Sequence, residues 1–192
     1  MRFALLLMAC LSLGACAGNP PKLVPPTVKW DARAIELQHA LNWKLDGRAA
    51  VAFGNQGWQA SMNWQQNGAF AEVHLAGPFG VGALVLRQGP EGVSLNGAPP
   101  NDAAMSQLQD RLGFELPIQN LRYWLLGVPD PSAPFELARN DQDRAQSLSQ
   151  AGWRVVYDRY VPVEGDVLPA RVVLSREDVR VRVVIDHWDW PR

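Results

Sequence analysis

The stretch WQASMNW, Trp58 to Trp64, decides how this chain is read. Trp58, Ala60, Met62 and Trp64 fall on one side of a two-residue period, and Gln59, Ser61, Asn63 and Gln65 on the other. An extended strand has that period and a helix does not, so the segment is a strand with one apolar face and one wet face. Working outward, GRAAVAF (Gly47 to Phe53) and FAEVHLA (Phe70 to Ala76) flank it, with glycine or Asn-Gly between them. GALVLRQ and EGVSLNG continue the meander through a turn near Gly89-Pro90. Strand character returns in WRVVYDRY, ARVVLS and VRVRVVIDHW, the last setting Val179, Val181, Val183 and Ile185 opposite Arg180 and Arg182.

Helical spacing appears in three places. Trp30, Ala34, Leu37 and Leu41 predict an amphipathic helix within Trp30 to Leu45. Asn101 or Asp102 caps a second helix that carries Met105, Leu108 and Leu112 and stops at Gly113. Pro117 suits the first turn of a third, with Ile118, Leu121, Trp124 and Leu125 as its stripe and Gly127 as its end. Pro129, Pro131 and Pro134 prevent continuation, and a polar loop is expected up to Trp153. The pattern is α+β: a curved antiparallel sheet whose apolar face is covered by about three helices.

The N-terminus carries a separate message. Arg2 precedes an apolar run from Phe3 to Leu13, too short to span a bilayer, and Leu13-Gly14-Ala15-Cys16 has the form of a bacterial lipobox. Residues 1–15 then read as a lipoprotein signal peptide and Cys16 as the acylated residue. By resemblance to the sorting rule of many Gram-negative bacteria, Ala17 after the cysteine implies export to the outer membrane. The proline-rich AGNPPKLVPPT that follows favours extended polyproline II and reads as a tether; at ~3.1 Å per residue it reaches roughly 30 Å. Residues 16–29 form this anchor and tether, and 30–192 a single domain. The two cysteines, Cys10 and Cys16, both lie in the leader region, so the mature domain has no internal disulfide and folds on its core alone.

Composition removes other classes. A formal net charge of −1 with 19% charged residues offers no field for nucleic acid. Gly80-Val81-Gly82 lacks the third glycine of a dinucleotide loop, where Val85 stands, and Gly92-Val93-Ser94-Leu95-Asn96 misses the last glycine of a nucleophile elbow. His39, His74 and His187 lie in separate elements without metal-ligand spacing. No enzyme, cofactor or metal is expected.

Several segments, in order, resemble one family, the outer-membrane lipoprotein receptor LolB. They are Trp43-x-Leu45-x-Gly47-Arg48-x-Ala50-Val51, Trp58 to Trp64, Gly77-Pro78-Phe79-Gly80, LGFELPIQNLRYWLLGVPDP (Leu112 to Pro131), Gln150 to Tyr157, Leu168-Pro169-Ala170 and Ile185-Asp186-His187-Trp188. The resemblance implies a half-open β-barrel covered by helices and lined by apolar side chains. It implies a protein that accepts acylated lipoproteins from the periplasmic carrier LolA and delivers them to the outer membrane. It also implies that the loop Pro78, Phe79, Gly80 protrudes with Phe79, in place of the more usual Leu, as the membrane-delivery tip. A Phe folded back onto the sheet is the other conformation open to it. An exposed Phe gains ~1–2 kcal/mol at a bilayer interface, enough for reversible contact and too little to anchor.

The energetics agree with such a role. A triacylated cysteine carries on the order of 45 methylenes, and at ~0.8 kcal/mol each its exposure to water costs roughly 36 kcal/mol. A protein that passes it on must offer an apolar cavity. Candidate lining residues are Trp58, Met62 and Trp64 on the strand and Leu121, Trp124 and Leu125 on the helix, with Leu84, Leu86, Trp153 and Tyr157 beside them; the same residues would equally serve as packed core. A monomer is expected. Two other functions fit the sequence: a structural or assembly lipoprotein that binds a protein partner, and a related carrier of glycolipid or phospholipid.

Overall fold

The computed structural model describes residues 30–80 and 82–190, the side chain of Phe79 excepted. Cys16, the expected signal peptide and the expected tether therefore lie outside the described residues. After a first helix, α1 (Trp30–Gln38), come β1 (Asn42–Phe53), β2 (Gln56–Asn67) and β3 (Phe70–Ala76). A 3-10 turn, Pro78–Gly80, leads to β4 (Leu84–Gly89) and β5 (Gly92–Leu95). Helices α2 (Asp102–Leu112) and α3 (Ile118–Trp124) follow, and then β6 (Phe135–Arg139), β7 (Ala145–Gln150), β8 (Trp153–Val163), β9 (Asp166–Arg176) and β10 (Val179–Asp189).

Among the described residues the strands form one ten-stranded sheet in the order β5-β4-β3-β2-β1-β10-β9-β8-β7-β6. It consists of two antiparallel meanders joined by the β1–β10 pair, and its edge strands, β5 and β6, are not paired with each other. Strands from β4 round to β10 surround one space together with the segment from Leu112 to Leu125, so the sheet curves into an open barrel with the end of α2 and α3 at its concave face. The α+β expectation holds.

Local chemistry sets the helix ends. Asn101 accepts the Ala104 N–H at 2.9 Å and caps α2, and Gly113, at φ 83°, closes it in the left-handed conformation. At α1, Arg33 is buried, pairs with Asp166 and donates to the Val167 carbonyl at 3.1 Å, while Gln38 donates to the Pro129 carbonyl at 2.9 Å. These contacts fix the helix to β9 and to the loop that follows α3.

Two expectations are corrected. The first helix ends at Gln38, and Asn42 to Leu45 open β1 instead of finishing the helix. Trp43 and Leu45 are buried two residues apart, with Trp43 stacked on Trp64 (centroids 5.8 Å) and edge-on to Trp188 (5.6 Å), so tertiary packing overrides the helical spacing of Leu41, which is exposed. The expected polar loop contains β6 and β7. Every residue of β6 except Leu137 is exposed, so the ladder to β7 holds it and no apolar alternation marks it.

At Gly47 the β1–β10 register shifts, and a Cβ there would lie 2.3 Å from the Val184 carbonyl oxygen and 3.1 Å from the Ile185 Cα. Both are backbone atoms at the centre of the sheet and cannot swing aside. Gly47→Ala is expected to destabilise the protein by ~2 kcal/mol, read as a lower urea midpoint at unchanged slope.

Candidate functional site

The concave face encloses a cavity of about 50 Å³. β1 contributes Ala49 and Val51, β2 Trp58, Met62 and Trp64, β3 Val73 and Leu75, β4 Leu86, and β10 Val181 and Val183. The roof is Leu112 at the end of α2, Phe114 and Leu116 in the connection, and Ile118, Leu121 and Leu125 on and after α3. Every one of these side chains is apolar apart from the indole N–H of the tryptophans. Each strand places them there by alternation: in β2 the residues at 60, 62 and 64 are buried while those at 59, 61, 63 and 65 are exposed.

The cavity has a neighbour. Trp58, Leu75 and Leu112 also line a surface groove with Leu84, Gly77 and Gly82, which leads toward the 3-10 turn at Pro78–Gly80. Trp58 is only half-buried, so these three residues form a thin wall between cavity and groove. Pro78 and Gly80 are exposed; the side chain of Phe79, between them, lies outside the described residues.

Six of the ten residues named from sequence as lining meet at the cavity: Trp58, Met62, Trp64, Leu86, Leu121 and Leu125. The other four, Leu84, Trp124, Trp153 and Tyr157, are buried nearby but do not line it. Leu84 faces the groove. Trp153 packs against Phe114 with centroids 6.1 Å apart, and Tyr157 against Tyr160 at the same distance. Trp124 is fully buried and its indole N–H donates to Gln150 at 2.9 Å. The aliphatic lining of β1, β3 and β10 went unnamed from sequence, although the alternation of Val181 and Val183 with Arg180 and Arg182 already carried the signal.

Gln150, on β7, holds the roof in place. Its Oε1 accepts from Trp124 Nε1 and from the Asp130 N–H, both at 2.9 Å, and its Nε2 donates to the carbonyls of Asp130 at 2.8 Å and Ala133 at 2.9 Å. One buried amide thus ties the end of α3 and the following loop to the second meander. No titratable side chain lines the cavity; behind it, burial pushes the phenols of Tyr157 and Tyr160 well above their usual range, so both are neutral hydroxyls at physiological pH. This surface presents dispersion and exclusion of water, and no acid, base or nucleophile.

The family model described as "Outer membrane lipoprotein LolB" matches residues 41–188. A relative named outer-membrane lipoprotein LolB from Nitrosococcus oceani is 34% identical, covering 97% of this chain and 96% of its own length. Another of that name, from Alkalilimnicola ehrlichii, is 35% identical over 94% of this chain and 93% of its own. Among solved structures, a LolA superfamily protein from Nitrosomonas europaea superposes with a TM-score of 0.56 at 8% identity, covering 86% of this chain and 94% of that one, and shares the fold. With the family model spanning nearly the whole sheet and relatives matching from end to end, the chain belongs to the LolB family of outer-membrane lipoproteins.

Proposed function

We propose that this protein, an outer-membrane lipoprotein held at the periplasmic face, receives acylated lipoproteins in the cavity beneath α3 and passes them into the outer membrane. Residues 1–15 serve as its signal peptide, Cys16 carries its lipid, and 16–29 tether the domain 30–192. The donor is a periplasmic carrier of the LolA kind, and the protein acts as a monomer. The observation that carries this reading is a lining made wholly of apolar side chains, enclosed by one sheet and one short helical roof. Moving acyl chains from one such site to another leaves them in apolar surroundings throughout, so the net free-energy change is small and no nucleotide is consumed.

At about 50 Å³ the cavity is far smaller than the ~300–1,000 Å³ of small-ligand sites, so an acyl chain must widen it to enter. Entry requires the roof to lift from the sheet. Trp58, Leu75 and Leu112 line both cavity and groove and so form the wall between them, and the groove reaches Gly77 and Gly82, which flank the turn that bears Phe79. Phe79 is then the tip that touches the bilayer while cargo leaves.

The test is a two-stage assay that scores acceptance from cargo-loaded carrier and delivery to liposomes separately. The unmodified protein is expected to perform both. Phe79→Glu should accept normally, unfold at the same temperature as the parent and deliver roughly tenfold more slowly, since ~1–2 kcal/mol of interfacial attraction is lost. A large fall in stability, or undiminished delivery, would remove Phe79 from this role; failure of the parent to accept cargo would remove the function itself.

A further inference from the structure

We propose that a groove on the outer face of the sheet binds the phosphate headgroups of anionic phospholipids, giving the domain an electrostatic footing on the membrane beside its delivery turn. The groove, about 810 Å³, crosses the outer faces of β2, β1, β10 and β9 and ends at Pro78 and Gly80. Arg48, Arg171 and Arg182 line it, and no aspartate or glutamate does. Pairing sets them side by side: Arg48 stands opposite Val184 and Val184 opposite Arg171, while Arg182 lies two residues back along β10.

Arg48 is held by Asp186 through Nε and Nη2, at 3.1 and 2.8 Å. Arg171 and Arg182 have no carboxylate partner among the described residues, and Arg171 stands opposite a further arginine, Arg159, on β8. Like charges across strands repel, and here they do so in a chain whose formal net charge is only −1. A concentrated positive face in a nearly neutral protein is complementary to an anionic surface.

Position selects a membrane as that surface. Gln59, Ala60 and Gly77 line both this basic groove and the second groove, where Arg111 joins Trp58, Leu75, Leu84 and Leu112, so the turn at Pro78–Gly80 has Arg48, Arg171 and Arg182 on one side and a largely apolar route to the cavity on the other. That is the division a phospholipid presents, phosphate above and hydrocarbon below. The inference rests on the turn facing the bilayer, as in the function proposed above, but it is measured without cargo or carrier, so either can fail alone.

The experiment uses the chain from Ala17 onward, which lacks the acylated cysteine yet carries every described element and all of the core. Partition is measured onto vesicles of phosphatidylcholine alone and onto vesicles with an equal part of phosphatidylglycerol. The parent should prefer the anionic vesicles, less so as salt rises, and free inorganic phosphate should compete only weakly. Arg171→Gln with Arg182→Gln should lower partition onto anionic vesicles about 25-fold, at ~5-fold per charge, and leave partition onto neutral vesicles unchanged and the melting temperature no lower than the parent's. Equal partition of the parent onto both vesicles, or an unchanged double variant, overturns the proposal. So does a parent that binds neither vesicle but needs the two arginines to bind an acidic carrier protein.

Discussion

Met62→Glu is expected to abolish acceptance of acylated cargo. Met62 is buried at the middle of β2, its side chain reaches the cavity, and every neighbour there is apolar. A carboxylate at that point would have to give up water without gaining a partner, which costs several kcal/mol, and affinity for an acyl chain should fall by at least ~100-fold. The same charge burdens the protein without cargo, so a loss of ~3 kcal/mol of stability is expected alongside. Two companion variants separate folding from function. Met62→Leu conserves volume and should accept cargo normally with less than ~1.5 kcal/mol lost. Met62→Gln has similar length but no charge, and should remain folded by circular dichroism while binding cargo clearly more weakly than Met62→Leu. Cargo binding by Met62→Gln equal to that of Met62→Leu would place the acyl chains elsewhere.

Gln150→Leu is expected to remove about 4 kcal/mol of stability, a large share of the ~5–15 kcal/mol usual for a domain. Leucine fills the space but leaves Trp124 Nε1, the Asp130 N–H and the carbonyls of Asp130 and Ala133 without the partner that satisfies them. Buried groups deprived of hydrogen bonds cost ~1–3 kcal/mol each, and the sum is reduced because the loop relaxes. Urea unfolding measures the total. Gln150→Glu retains the acceptor for Trp124 and Asp130 but sets an unpaired, buried carboxylate oxygen against the carbonyls of Asp130 and Ala133, so it should be no more stable than the leucine variant at neutral pH. A leucine variant within ~1 kcal/mol of the parent would show that the loop after α3 finds other partners.

What could be read from the sequence, and what could not, follows from the range of the forces involved. β2, β3, α2 and α3 were legible because alternation, caps and glycine stops are local: Asn101, Gly113 and the Trp58–Trp64 period act within a few residues. The start of β1 was hidden because Trp43 owes its place to Trp188, 145 positions along the chain, and β6 because an exposed edge strand is held by a ladder that side chains do not announce. At the site the strand-borne members Trp58, Met62 and Trp64 follow from the period. Trp124 is harder to place: it shares the stripe of Leu121 and Leu125 on α3, yet its N–H turns it to Gln150, 26 residues on. Size and aromaticity drew attention to Trp153 and Tyr157, while the cavity is finished by small aliphatic residues such as Ala49 and Val183, which look like any core.

The β1–β10 pair has a consequence for the order in which the fold is made. The first five strands and the last five are each local meanders, but the sheet becomes one body only when Lys44 meets Asp189 and Phe53 meets Val179. Contacts so distant in sequence form late, since the loop between them must be closed before they contribute anything. Exported N-terminus first, as the signal peptide proposed above would have it, the chain presents the inward faces of β1 to β4, including Trp58, Met62, Trp64 and Leu86, to the periplasm until its final strand arrives. For that interval the surface proposed to shelter the acyl chains of other proteins is itself unsheltered, and the protein is for a time in the same position as its proposed cargo.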